Sequence, residues 1–151
     1  MKYYLAYGSN LNLTQMQQLC PDATVICQTT LSNYTLNFKR LTDSAYLTLD
    51  CTPTSTAVVP VVIYQISPRD QEALDAFEDF PTLYNKEIFR INFEHNAQMK
   101  TIECFAYVMN PAATVALPTQ TYWQVCLEGY RTWNFDQRIL FEALARAVKK
   151  Q

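Results

Sequence analysis

The run Ala57-Val58-Val59-Pro60-Val61-Val62-Ile63-Tyr64-Gln65-Ile66 is the most apolar stretch of the chain, and a helix start follows it directly. Valine and isoleucine favour an extended backbone, and a run without polar alternation predicts a buried strand. Pro60 lacks a ladder donor, so a bulge or an edge is expected there. Ser67 is the expected N-cap of the next element, with Pro68 at N1 and Asp70 at N3, where a carboxylate suits the helix dipole. That helix is predicted to run from 68 to 80, before Pro81 stops it.

Other strands are predicted at residues 2–7, 24–30, 33–40, 44–49, 86–93 and 101–109, with 94–100 as a polar turn. A short helix is expected over 14–19, stopped by Pro21-Asp22. Residues 51–55 and 112–118 read as loops. Thr119 can cap a helix over 120–131, and Asn134 or Asp136 another over 137–149. No repeat or linker interrupts the chain. Strands come first and helices are inserted and appended. This pattern predicts a single α+β domain over 1–151, with a mostly antiparallel, barrel-like sheet.

Apolar residues form 49% of the 151-residue chain, enough to fill a core without metal or disulfides. The net charge of −2 points to neither nucleic acid nor a membrane surface as partner. No apolar run is long enough to cross a bilayer, and Met1-Lys2 leads straight into strand-like sequence, so a cytoplasmic protein is expected. Five cysteines without a Cys-x-x-Cys pair, and one histidine in a polar turn (His95), give no basis for a metal site. Ten tyrosines and eight phenylalanines suit strand faces and core, and equally an aromatic-walled pocket. Oligomeric state is not legible.

Two features carry chemistry. Only two glycines occur, and Gly8 sits where a strand turns towards a helix, in Tyr7-Gly8-Ser9-Asn10-Leu11. Glycine permits positive φ and close approach to the backbone, and successive N–H groups in such a turn can hold an anion. A purely structural turn fits the same residues. The second feature is Glu78. With successive residues rotated by about 100°, Leu74 and Phe77 share the inward stripe and Glu78 flanks it, while Glu72, Asp75 and Asp79 project outward. A carboxyl beside apolar side chains has a raised pKa and suits proton transfer. An ordinary helix with a solvated acidic face is the alternative.

The segment Tyr4-Leu5-Ala6-Tyr7-Gly8-Ser9-Asn10-Leu11 resembles the signature strand and loop of the γ-glutamylcyclotransferase-like family. Val62 to Ile66, followed by Leu74-Asp75-Ala76-Phe77-Glu78, resembles that family's central strand and the helix bearing its catalytic glutamate. Pro81-x-x-Tyr84, the strand from Lys86 to Ile91, Cys104 to Val108 with its internal Tyr107, and Tyr122 to Tyr130 follow in the family's order. The chain departs from the pattern at Val59-Pro60-Val61 and at Asp79, where the family often has glycine.

The resemblance implies closure of a γ-glutamyl group onto itself, releasing 5-oxoproline and an amine or amino acid. It implies Glu78 as general acid and base. The backbone N–H groups of Gly8, Ser9, Asn10 and Leu11 become the cradle of the carboxylate or oxyanion, and Tyr7, Tyr84 and Tyr107 become orienting residues. A small-molecule γ-glutamyl substrate is the implied partner, and neither a metal nor an organic cofactor is required. Loops 40–46 and 110–118 are expected to wall the leaving group. A binding module that keeps the pocket without turnover is the other reading. Ser9 is not expected to act as a nucleophile, since no Ser-His-Asp arrangement surrounds it.

Overall fold

The apolar run becomes the strand β5 (Val58–Ile66), in which Val59, Val61, Val62, Ile63 and Ile66 are buried. In this computed structural model, which describes residues 2–151, β5 lies between β1 (Lys2–Ala6) and β2 (Thr24–Ser32). Each such side chain removed from water stabilises the fold by about 1.5–3 kcal/mol before the entropy of ordering is set against it. The five-stranded sheet is completed by β6 (Tyr84–His95) and β7 (Gln98–Met109), in the order β2-β5-β1-β7-β6. Its ladders are antiparallel except for β1 against β7, which run parallel through Tyr4↔Phe105.

A second sheet has the order β4-β3-β8, from β3 (Tyr34–Arg40), β4 (Tyr46–Cys51) and the two-residue β8 (Thr114–Val115). The Thr48 hydroxyl accepts from the Met109 amide over 2.9 Å and ties the two sheets together. The outer strands β2 and β6 of the larger sheet approach each other without a ladder, so the barrel-like curvature does not close. The mixed α+β class and the antiparallel dominance agree with the sequence reading.

Pro60 makes no bulge. It sits in the part of β5 that runs past the end of β1, whose register stops at Ala6↔Val62, and it faces Thr30 of β2. The register shift falls instead on β2, between Val25 and Cys27. The expected turn 94–100 shrinks to Asn96-Ala97, both at positive φ (51° and 61°), as a two-residue hairpin requires. The loop 112–118 contributes β8 to the smaller sheet.

Among the described residues, four α-helices dress the sheets: α1 (Leu13–Leu19), α2 (Pro68–Phe77), α3 (Gln120–Thr132) and α4 (Gln137–Lys149). Asp136, not Asn134, caps α4. Arg146 of α4 donates to the Leu36 carbonyl (2.6 Å) and the Asn37 side chain (2.8 Å), anchoring the helix on β3. Ser67 and Asp70 form the reciprocal capping box at the start of α2, over 3.1 and 3.2 Å.

The end of α2 differs from expectation. The helix stops at Phe77, and Glu78 is its C-cap. Asp79 takes φ 50°, the left-handed conformation in which helices commonly terminate. The Phe80 amide reaches back to the Asp75 carbonyl (2.9 Å) and the Asp79 amide to that of Ala76 (3.3 Å), the paired bonds of a Schellman motif. Phe77 is 48% exposed and does not share the inward stripe with Leu74, because the last turn of α2 overhangs a pocket rather than the core.

Candidate active site

The chain leaves β1 at Ala6 and enters a 3-10 turn, Ser9–Leu11, before Asn12 caps α1. Gly8 has φ −119°, so the turn does not use a positive φ. The reversal is carried by the 3-10 turn itself, closed by the Leu11 amide on the Gly8 carbonyl (3.0 Å) and the Asn12 amide on the Ser9 carbonyl (3.0 Å). Nor does crowding demand glycine, since a Cβ there would make only ordinary van der Waals contacts. A Cβ at Gly8 would stand 3.4 Å from the Leu47 Cβ and 3.7 Å from the Tyr122 hydroxyl.

The second glycine serves the same loop from outside. A Cβ at Gly129 of α3 would lie 2.8 Å from the Asn12 amide nitrogen and 2.9 Å from Leu11 backbone and side-chain atoms. Helix α3 therefore rests on the turn through bare backbone. The Trp133 indole completes the support by donating to the Leu11 carbonyl over 2.9 Å. Leu11 is fully buried in the core, and its amide is engaged within the turn. The sequence reading grouped it with the cradle, but the structure places it behind the pocket wall.

Gly8, Ser9 and Asn10 do line a cavity of about 300 Å³, and Glu78 lines it from the opposite element. Among the described residues, no hydrogen bond takes up the N–H groups of these three residues. The side chains of the turn are occupied. Asn10 donates to the Tyr4 hydroxyl (2.9 Å), and Gln15 donates to Ser9 Oγ (2.9 Å) and Asn10 Oδ1 (3.0 Å). Gln15 is not a base, and the one histidine, His95, lies at the far end of β6, so Ser9 has no activating partner.

Glu78 reaches the cavity because α2 ends on it. Among the described residues its carboxyl has no hydrogen-bond partner. The residue is partly covered and shares the cavity with aromatic side chains, and burial raises its pKa from 4.5 to about 8. After burial itself, the same carboxylate is the largest influence opposing ionisation of Tyr4 and Tyr7.

The three tyrosines singled out in the sequence all line this cavity. Their protons are directed at the protein. Tyr7 donates to the Tyr107 carbonyl (2.6 Å), Tyr84 to the Leu47 carbonyl (2.7 Å) and Tyr107 to Asp75 Oδ1 (2.6 Å). Each can offer a ligand only a lone pair. Burial raises the pKa of all three, so they stay neutral.

Sequence reasoning missed several wall residues. Leu47 and Tyr122 approach from β4 and α3, with the Tyr122 hydroxyl accepting from the Leu47 amide (3.0 Å). From the two loops expected to wall the leaving group, Tyr46 lines the cavity and 110–118 does not. Asp75 was expected to project outward. It instead receives the Tyr107 hydroxyl and pairs with Lys86 at 2.9 Å. Only the aromatic count of the sequence signalled this wall.

The sequence profile described as γ-glutamyl cyclotransferase, AIG2-like, matches residues 4–125. The chain belongs to this family. Solved structures agree in fold. One titled γ-glutamyl cyclotransferase superposes with a TM-score of 0.71 at 22% identity, over 87% of this chain and 79% of that one. An uncharacterised human protein gives 0.70 at 21% identity over the same shares, 87% and 79%. YkqA from Bacillus subtilis gives 0.70 at 16% identity over 94% of this chain and 54% of its own. No curated protein matches the sequence. In this cyclotransferase-type fold, the signature turn and the C-cap of the acidic helix meet at one cavity. Among the described residues, no group of three or more His, Cys, Asp or Glu is placed to hold a metal, and no helix is long and apolar enough to cross a membrane.

Proposed function

We propose that the protein is a γ-glutamyl cyclotransferase that converts a γ-glutamyl compound to 5-oxoproline and a free amine or amino acid. One observation carries this reading: a desolvated, unpartnered carboxyl (Glu78) and three residues whose backbone N–H groups have no partner among the described residues (Gly8, Ser9, Asn10) line one small cavity.

The reaction needs a base, oxyanion donors and an acid. The α-ammonium of the glutamyl group gives a proton to the Glu78 carboxylate, and its nitrogen attacks the γ-carbonyl carbon. The new C–N bond closes a five-membered ring. The oxyanion of the tetrahedral intermediate, or the substrate's α-carboxylate, is held by the N–H groups of the turn. The old C–N bond then breaks as Glu78 returns the proton to the departing nitrogen, and the ring nitrogen passes its surplus proton through the same carboxylate to the released amine, leaving a neutral lactam. A carboxyl with a pKa near 8 is well matched to both transfers. The phenolic oxygens of Tyr7 and Tyr107 offer lone pairs to the ammonium. Because the attack is intramolecular, much of the acceleration comes from folding the substrate into a near-attack geometry.

The test is a panel of γ-glutamyl amines, amino acids and peptides, with 5-oxoproline as the readout. Formation of 5-oxoproline that falls about 10²–10⁴-fold in Glu78→Gln supports the reading. Undiminished activity in that variant removes Glu78 as the base. Binding without 5-oxoproline from any compound means a pocket that holds ligand without turnover.

A further inference from the structure

The inner wall of the cavity is buried, at Tyr4, Tyr7, Asn10, Leu47, Tyr84 and Tyr107, whereas Phe77 and Asp79 are exposed at its mouth. If the glutamyl group occupies the inner end against Gly8 to Asn10, the leaving group must project past Phe77 and Asp79. Among the described residues, no lysine, arginine or histidine lines the cavity, and its charged lining residues are Glu78 and Asp79. A second carboxylate on the leaving group would therefore meet two acids and no cation.

Asp79 is an unusual occupant of its position. It holds φ 50°, where glycine is at ease and a side chain is not. Among the described residues, no ion pair or hydrogen bond engages its side chain. Its carboxylate contributes nothing visible to holding the fold. It does set the charge at the opening through which the leaving amine departs.

We infer that Asp79 is a specificity-determining residue, selecting γ-glutamyl amines whose leaving group carries a second, positively charged end. The inference rests on the cyclotransferase reading. The exposed ring of Phe77 beside it offers an apolar surface for the alkyl stem and a π-face for the cation. An exposed ion pair is worth a modest factor and is screened by salt.

Three substrates of matched length separate the possibilities: the γ-glutamyl amides of butane-1,4-diamine (cationic end), butylamine (neutral) and 4-aminobutanoate (anionic). The wild type should favour the cationic over the neutral amide by about two- to fivefold in kcat/KM at low salt, with the anionic amide last. The preference should shrink as salt is added. Asp79→Asn and Asp79→Gly both tolerate the left-handed conformation, so both should fold, as circular dichroism would verify, and in both the cationic-to-neutral ratio should fall towards one. A wild type indifferent to charge, or a ratio unchanged in both variants, overturns the role of Asp79 while 5-oxoproline formation keeps the cyclotransferase reading intact. Absence of 5-oxoproline from all three amides overturns both.

Discussion

The Tyr107 hydroxyl donates to Asp75 Oδ1 over 2.6 Å, and this bond fastens the helix that ends in Glu78 to the strand that walls the cavity. Lys86, opposite Tyr107 in the β6–β7 ladder, pairs with the same carboxylate at 2.9 Å and lies 4.2 Å from the centre of the Phe80 ring. The Asp75 carbonyl also receives the Phe80 amide that closes the turn around Glu78. Asp75 is thus a positioning residue. Asp75→Ala should lower kcat by about tenfold or more, since small displacements of a reacting group are costly. Asp75→Asn keeps an acceptor for Tyr107 and should recover part of that loss. Steady-state kinetics on both variants checks this. The pH limb should stay in place, because burial and not Asp75 raises the Glu78 pKa.

Gly129 should not accept a side chain. A Cβ there would come within 2.8–2.9 Å of Asn12 and Leu11 backbone atoms, so the helix or the turn must move. Gly129→Ala should destabilise the fold by about 1–3 kcal/mol, read as a lower denaturation midpoint. Activity should fall further than stability, because the displaced segment carries the N–H groups of Ser9 and Asn10.

Asp79→Gly should raise stability by about 0.5–1 kcal/mol, since it relieves a left-handed aspartate and leaves the Schellman bonds intact. A urea titration reads the gain. Together with the altered amine preference, it would mark Asp79 as a residue retained at the expense of stability.

Glu78 also makes stability depend on pH. Its folded pKa of about 8 lies above the unfolded value of 4.5, so the native state holds the proton more tightly. The stability this confers is fully present below pH 4.5, declines as pH rises through the interval, and is lost above pH 8. The slope is at most about 1.4 kcal/mol per pH unit. Glu78→Gln should lack this decline and be the more stable protein at pH 9, the pH chosen for the comparison (about one unit above the folded value). Melting curves of both proteins across pH test the sign.

The sequence was legible where the signals are local. The apolar run of β5 and the Ser67-Pro68-x-Asp70 start of α2 follow from residue types within one segment. So does the turn after β1. The end of α2 was not legible, because the left-handed residue that stops it is an aspartate and not a glycine, and Pro81 suggested a later end. Asp75 was misplaced for a different reason. A helical projection describes one helix, whereas its partners Lys86 and Tyr107 arrive from strands 11 and 32 residues away. The wall formed by Leu47 and Tyr122 depends on β4 and α3 meeting at a bond that spans 75 residues. Leu11 left the cradle because a 3-10 turn, with its tighter rotation, carries the third residue inward.

The pH dependence of kcat/KM for 5-oxoproline formation, measured on the wild type and on Glu78→Gln, tests the central claim most directly. The wild type should rise with pH through a limb centred near pH 8, where the Glu78 carboxyl gives up its proton, and fall again once the free substrate loses its α-ammonium proton. The same limb in kcat should lie lower, because the bound α-ammonium favours the carboxylate. The glutamine variant should be slower by about 10²–10⁴-fold and should lose the limb. A wild-type limb near pH 8 that persists unchanged in Glu78→Gln would contradict the account.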